Sequence, residues 1–475
     1  MGEGKRENER FTGRRGGGEE RDHDLSLSPP RLPASLFKSG LCLLALVAAC
    51  GGATPTPVDR GAPTQAAAAA PEAAPDRVEG PAVELVETAP VETTLDHPDV
   101  PDAHAVWTAM IQGAKRTIDV AQFYISNAPE SRLEPVLQAI EAAAGRGVRV
   151  RVLVDQSFYG RYPESVDRLA ARPGIEARRL DMSARTKGVL HAKYFVVDGR
   201  DAFLGSQNFD WRALAHIQEI GVRVRHPGVA GALAAIFDVD WDVAGGADPE
   251  ARAHAGGPAA GATALAFPAR VTQGGAALEL TPVASPRGWL PDERLWDLPR
   301  LRAMIDGARR GVHVQLLTYK TVSRDGSPFP DLDDALRRAA ARGVEVRLLL
   351  SHWSTRPGTI EPIQRLAEVP GVAIRLLTIP RWSGGFIPFA RVAHAKYMVV
   401  DGAAAWVGTS NWEGDYFTRS RNVGLVVDGA PFAGRLDRIF GDGWGSPYAA
   451  PVDPKAAYPA PSIDRDAAAQ GPTGG

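Results

Sequence analysis

The chain has 475 residues, 44% hydrophobic and 23% charged, with a formal net charge of −2 at pH 7. These values suit a packed globular protein of one large domain or two to three ordinary ones. A near-neutral balance excludes a global attraction for polyanions or membrane surfaces, so any phosphate site has to be basic locally.

In chain order, residues 1 to 30 are charged, Gly-rich and aperiodic, which fits a start codon placed upstream of the true one. Arg31 and Lys38 then precede the apolar run "LCLLALVAACGG", which is short for a membrane span and the right size for a signal h-region. The chain's two cysteines, Cys42 and Cys50, both lie in it, so no disulfide framework serves the rest of the chain. Val47-Ala48-Ala49-Cys50 resembles the lipobox of bacterial lipoproteins, which implies cleavage before Cys50 and a lipid anchor on it. Gly51 follows in place of an inner-membrane retention aspartate, so an exported protein held at the outer membrane or cell surface is expected. Residues 51–80, rich in Ala, Pro and Thr, read as a flexible tether.

Two similar halves come next, expected at 81–247 and 277–448, with a linker at 248–276 and a disordered tail at 449–475. "VELVETAP" from Val83 answers "LELTPVASP" from Leu278, and "RTIDVAQFYI" from Arg116 answers "RGVHVQLLTY" from Arg310. Each half then shows apolar residues at helical spacing, a glycine stop and a β-branched run. Alternating strands and helices predict α/β layers, and the repeat predicts a pseudo-twofold arrangement.

Each half also carries one constellation. The first is His191, Lys193, Asp198, Gly205, Ser206 and Asn208; the second is His394, Lys396, Asp401, Gly408, Thr409 and Asn411, at identical spacing. Residues two apart on a strand share a face, so each histidine projects with its lysine. Paired halves bring two imidazoles and two ammonium groups to one phosphodiester site. One neutral imidazole attacks phosphorus and the other, protonated, serves the leaving oxygen. Lys193, Lys396, Asn208, Asn411, Ser206 and Thr409 are the expected phosphate ligands. Asp198 and Asp401 complete the catalytic set, with anchoring of the motif strands their stronger expectation.

This pattern resembles the phospholipase D superfamily over about residues 80 to 448. "LHAKYFVVDGRDAFLGSQNFDWRALAHIQEIGV" and "IPFARVAHAKYMVVDGAAAWVGTSNWEGDYF" are similar to a narrower group, the animal lysosomal phospholipase-D-like 5′ exonucleases and the related poxvirus envelope protein. The resemblance implies two α/β/α sandwich halves, a site at their interface, a phosphohistidine intermediate and no metal or other cofactor. It also implies that Glu219 supports the imidazole of its own motif. The equivalent position after His394 is Asn422, and this asymmetry points to His191 as nucleophile and His394 as acid.

Trp353, Trp382, Phe386, Phe389, Trp412, Tyr416 and Phe417 surround the second motif, where aromatics either stack on substrate or fill the core. The leading expectation is an exported phosphodiesterase acting on single-stranded nucleic acid from the 5′ end. The alternatives are a phospholipase or transphosphatidylase on membrane phospholipid, and a catalytically silent surface lipoprotein. No obligatory protein partner is implied.

Overall fold

The structure, a computed structural model, describes residues 80–255 and 266–463. The signal segment with Cys50, the tether up to residue 79, the middle of the linker and the last part of the tail lie outside the described residues.

The first half runs β1 (Val83–Thr88), α1 (Ala103–Gly113), β2 (Thr117–Gln122), β3 (Ile125–Ser126), α2 (Glu134–Gly145), β4 (Arg149–Asp155), α3 (Gln156–Tyr159), α4 (Glu164–Ala170), β5 (Ile175–Leu180), α5 (Met182–Thr186), β6 (Lys193–Val197), β7 (Asp201–Gly205), β8 (Phe209–Asp210), β9 (Glu219–Val224) and α6 (Pro227–Ala244). After α7 (Pro249–Ala255), the second half runs β10 (Ala269–Gln273), β11 (Ala276–Ser285), α8 (Asp297–Gly307), β12 (Gly311–Leu316), α9 (Asp331–Ala341), β13 (Glu345–Ser351), α10 (Ile360–Ala367), β14 (Val372–Leu377), β15 (Tyr397–Val400), β16 (Ala404–Gly408), α11 (Gly414–Thr418), β17 (Asn422–Asp428), α12 (Ala430–Gly445) and β18 (Ala449–Pro451).

The first sheet has the order β1-β9-β7-β6-β2-β4-β5, and the second repeats it as β11-β17-β16-β15-β12-β13-β14, with β10 and β18 added at its edges. In each, three strands are parallel (β2, β4, β5 and β12, β13, β14). Parallel neighbours need a crossover, and α2 and α9 supply the first one in each half. The helices form because their apolar residues fall on one stripe: Val136, Leu137, Ile140 and Ala143 in α2, and Leu332, Ala335, Leu336 and Ala339 in α9. Each is stopped by a glycine at positive φ, Gly147 at 90° and Gly343 at 84°.

The β-branched motif strands β6 and β15 are buried on both faces. Phe195 and Val197 pack with α1 and α2, whereas Tyr194 and Val196 face a core that contains α6. That second core continues through Tyr397, Val399 and the apolar side of α12, so one hydrophobic body joins the two sheets. The expected α/β/α halves and their pseudo-twofold pairing are therefore present.

Two boundaries differ from expectation. The linker ends are structured: Arg252 of α7 pairs with Asp242 of α6, and β10 forms a hairpin with β11. The tail from Ala449 does not leave the body at once. Its β18 pairs with β14, and Pro459 and Ile463 accept hydrogen bonds from Thr355 and Phe389. A chain poor in large apolar residues still orders when its backbone completes a sheet edge, which composition does not reveal.

Candidate active site

The two motif segments do not pair with each other; each pairs with the loop of the opposite half. The His191 N–H donates to the Arg421 carbonyl (2.9 Å), and the Arg421 N–H donates to Val189 (3.0 Å). The matching bridge joins His394 to the Gln218 carbonyl (2.9 Å), and the Gln218 N–H to Val392 (3.0 Å). Thus both histidines are delivered to one interface by equivalent backbone ladders. Gly188 makes the close approach possible, since a Cβ there would lie 2.0 Å from the Arg419 carbonyl oxygen.

The ladders exchange the side-chain partners. His394 Nδ1 lies 2.9 Å from a carboxylate oxygen of Glu219, which is fully buried. His191 Nδ1 lies 3.1 Å from Asn422 Oδ1. The expectation that Glu219 supports its own motif's histidine is therefore corrected. Glu219 begins β9 in the first half but serves the second-half imidazole, because the loop before β9 is the one that pairs with the His394 segment.

The Asn422 amide has one satisfactory orientation. Its Nδ2 donates to the Tyr416 carbonyl (2.8 Å), and its Oδ1 accepts from the Thr409 hydroxyl (2.9 Å). Reversing it would set the amide oxygen against the Tyr416 and Ser420 carbonyl oxygens, which can only accept. His191 must then carry its proton on Nδ1, which leaves the Nε2 lone pair free. Burial, followed by the Lys193 and Lys396 charges, holds His191 well below its ordinary range. His394 is lowered by burial too, but the Glu219 carboxylate works against that shift. The neutral Asn422 amide raises His191 only through its hydrogen bond, the least of the causes. At rest His191 is the neutral imidazole, and the Glu219 carboxylate makes His394 the more basic of the two.

Lys193 and Lys396 are fully buried, and each donates to the carbonyl of its own histidine, Lys193 at 2.5 Å. An ammonium has three N–H donors, so each keeps donors for a bound anion. Burial lowers Lys396 to about 7 and Lys193 well below its usual range, with the Lys396 charge second for Lys193. Two desolvated cations side by side are costly alone, and a phosphodiester between them would relieve both. Among the described residues, no group of three or more His, Cys, Asp or Glu side chains is arranged to hold a metal ion.

The remaining motif residues divide. Asn208 and Asn411 are buried, and the Oδ1 of each lacks a hydrogen-bond partner among the described residues. An unpaired buried amide oxygen costs about 1–3 kcal/mol, which a donor brought by substrate or water offsets. Ser206 and Thr409 are not phosphate ligands. The Ser206 hydroxyl donates to the Ile220 carbonyl (3.1 Å) and accepts from the Ile220 N–H (3.0 Å). The Thr409 hydroxyl accepts from the Val423 N–H (3.1 Å) as well as donating to Asn422. Both residues are fully buried staples between strands. Asp198 and Asp401 leave the catalytic set. Each lies beyond the far end of its motif strand and accepts from three successive backbone N–H groups: those of Lys115, Arg116 and Thr117 for Asp198, and of Arg309, Arg310 and Gly311 for Asp401.

Of the aromatics near the second motif, Trp412 and Phe417 are core. Trp353 and Trp382 pack on a small apolar cluster that includes Ile217, Ile387 and Val392. Tyr416 alone meets a catalytic candidate, its ring centroid 4.7 Å from that of His191. Sequence reading missed Phe123, whose ring lies 5.1 Å from His191 and 4.9 Å from the Lys193 ammonium. Its signal was its place just past the end of an apolar strand, three residues before the polar Ser126.

A buried, two-histidine, two-lysine pocket shared by twin α/β/α halves defines a phosphodiesterase class. The model of the family described as cardiolipin synthase, PLD-like domain matches residues 107–241 and 301–444. The chain is 32% identical over 403 residues to the Bos taurus protein named 5′-3′ exonuclease PLD3, covering 78% of this chain and 81% of that one. It is 31% identical over 391 residues to the Dictyostelium discoideum protein named Phospholipase D Z, covering 78% and 91%. Among solved structures, the phosphatidylserine synthase of Haemophilus influenzae Rd KW20 shares the fold, with TM-score 0.53, 12% identity and coverage of 74% and 85%. The chain belongs to the phospholipase D superfamily and is a phosphodiesterase.

Proposed function

We propose that the protein hydrolyses single-stranded nucleic acid from its 5′ end, through a phosphohistidine and without a metal ion. The observation that carries the substrate is the 32% identity, along most of both chains, to a relative named as a 5′-3′ exonuclease. A near-neutral chain also suits a substrate gripped at one phosphodiester better than a long duplex.

The site's protonation states support the following course. Lys193 and Lys396 hold the non-bridging oxygens. His191 Nε2 attacks phosphorus, and the P–O bond to the leaving group breaks as His394 gives that oxygen its proton. His394, now neutral, takes a proton from water. The water oxygen bonds to phosphorus, the P–N bond breaks, and its electron pair returns to His191. Glu219 keeps the His394 ring oriented and favours its charged form, as a carboxylate does beside any catalytic imidazole.

A second reading, phospholipid cleavage, has one observation behind it: the similarity to the relative named Phospholipase D Z. Product identity separates the two. The nuclease reading expects mononucleotides from an oligomer with a free 5′ hydroxyl and slower release from a blocked 5′ end. Release of phosphatidic acid or choline from vesicles, with oligonucleotides intact, contradicts it.

Export and anchoring at Cys50 belong to the same proposal and rest on the "VAAC" stop. No helix among the described residues is long and apolar enough to cross a membrane. A Cys50→Ser protein is expected to leave the membrane fraction; one that stays there with its signal uncleaved or cut elsewhere contradicts the anchor.

A further inference from the structure

The two sides of the pocket are lined differently. Beside His191 stand Phe123 and Tyr416, and Phe158 packs on Phe123 at 3.9 Å between centroids. Behind them Tyr124 stacks on Phe158 at 5.7 Å, and Tyr162 on Tyr124 at 5.0 Å. By the repeat of the two halves, the positions matching Phe123, Phe158 and Tyr416 are Leu317, Ser354 and Ala213. Rings therefore stand directly beside His191, while Leu317 and Ala213 belong to a separate apolar cluster on which Trp211, Trp353 and Trp382 pack.

Core packing does not account for this wall. Trp107, Phe195, Phe203 and Phe209 form a ring cluster that is 0% exposed. Phe123, Phe158, Tyr124, Tyr162 and Tyr416, by contrast, are all only partly buried. A partly open, contiguous ring surface that begins at a catalytic histidine is a surface for a planar group.

Attack by His191 places the leaving oxygen on the opposite side of phosphorus, towards His394. The substituent that stays on phosphorus is equatorial and stays bonded, through phosphorus, to His191, within reach of the rings beside that residue. We propose that Phe123 and Phe158 form a base-stacking subsite for the 5′-terminal nucleotide, which remains attached to His191 in the intermediate. This inference rests on the nuclease reading given above.

The test pairs Phe158→Ala with abasic substitutions in a short oligodeoxythymidylate bearing a free 5′ hydroxyl. On the intact oligomer, Phe158→Ala is expected to lower kcat/KM about tenfold, the effect of one base–ring stack. Removing the terminal base should lower the parent enzyme's kcat/KM equally, and the two changes together should cost no more than one. Removing the second base should leave the Phe158→Ala deficit in place. Phe158→Trp, which keeps a ring, should retain most of the dependence on the terminal base and guards against misfolding. Independent, additive losses from Phe158→Ala and the terminal abasic site overturn the subsite while leaving the nuclease reading intact. An unaltered enzyme that cuts no oligomer removes both.

Discussion

Glu219 and His394 belong to opposite halves of the chain, yet the fully buried carboxylate meets the ring at 2.9 Å. The reciprocal contact, Asn422 to His191, carries no charge. One side-chain difference between two otherwise matched contacts thus makes His394 the more basic of two chemically identical imidazoles.

Glu219→Gln should lower kcat by about 10²-fold, since general acid–base assistance contributes on that scale. The deficit should shrink for the first chemical step when the leaving group is p-nitrophenolate, which needs no proton. Single-turnover kinetics with both substrate types checks this. An equal loss on both would mean that Glu219 does not act through the acid.

The pH dependence has a definite sign. His191 is depressed well below its ordinary range by burial and the lysine charges, so it stays neutral and nucleophilic in mild acid. His394 is depressed less far, and Lys396 stands at about 7. Raising the pH takes the proton from His394 below that group's ordinary range, and then the proton from Lys396 near 7. The kcat/KM profile of the free enzyme should therefore be highest in mild acid and already be falling by about pH 7. In Glu219→Gln the falling limb should move to lower pH.

Arg421 and Asp240 form an ion pair across the halves in which both side chains are fully buried. The guanidinium also donates to the Ser285 and Trp289 carbonyls, and the Arg421 backbone holds His191. Asp240→Asn leaves a buried cation unpaired and should cost about 3–5 kcal/mol in urea unfolding. The double variant Asp240→Leu with Arg421→Met should regain most of that.

Gly188→Ala should lower stability by about 1–3 kcal/mol, the usual cost of overpacking. Its Cβ would lie 2.0 Å from the Arg419 carbonyl oxygen, so the strand-like ladder holding His191 must shift. Activity is expected to fall further than unfolding free energy, because the nucleophile moves with that ladder. Unchanged kcat in a folded Gly188→Ala protein would contradict this coupling.

Much of this was legible in the sequence because the repeat states it twice. The order of elements, the shared pocket and the four motif cations and imidazoles follow from matched spacing. Which half serves which histidine does not follow. The partner exchange arises from loops pairing across the interface, such as Gln218 with Ala393 and Leu190 with Arg421. Spacing along the chain carries no record of such contacts. The hydroxyls of Ser206 and Thr409 mislead for a related reason: sequence shows a donor near a lysine, and only the fold shows that a neighbouring strand has already claimed it. Phe123 was hidden because a phenylalanine closing an apolar strand looks like core until the ring is seen beside an imidazole.

The most direct test of the account is the site of the covalent adduct. His394→Ala lacks the proton donor but keeps the neutral nucleophile, so a p-nitrophenyl phosphodiester should label it, and hydrolysis of the P–N bond, which needs His394 to take a proton from water, should stall. Peptide mapping at alkaline pH, where phosphohistidine survives, should place the phosphoryl group on His191, and His191→Ala should give no adduct. An adduct on His394 in the His191→Ala protein, with none on His191 in the His394→Ala protein, would contradict the assignment.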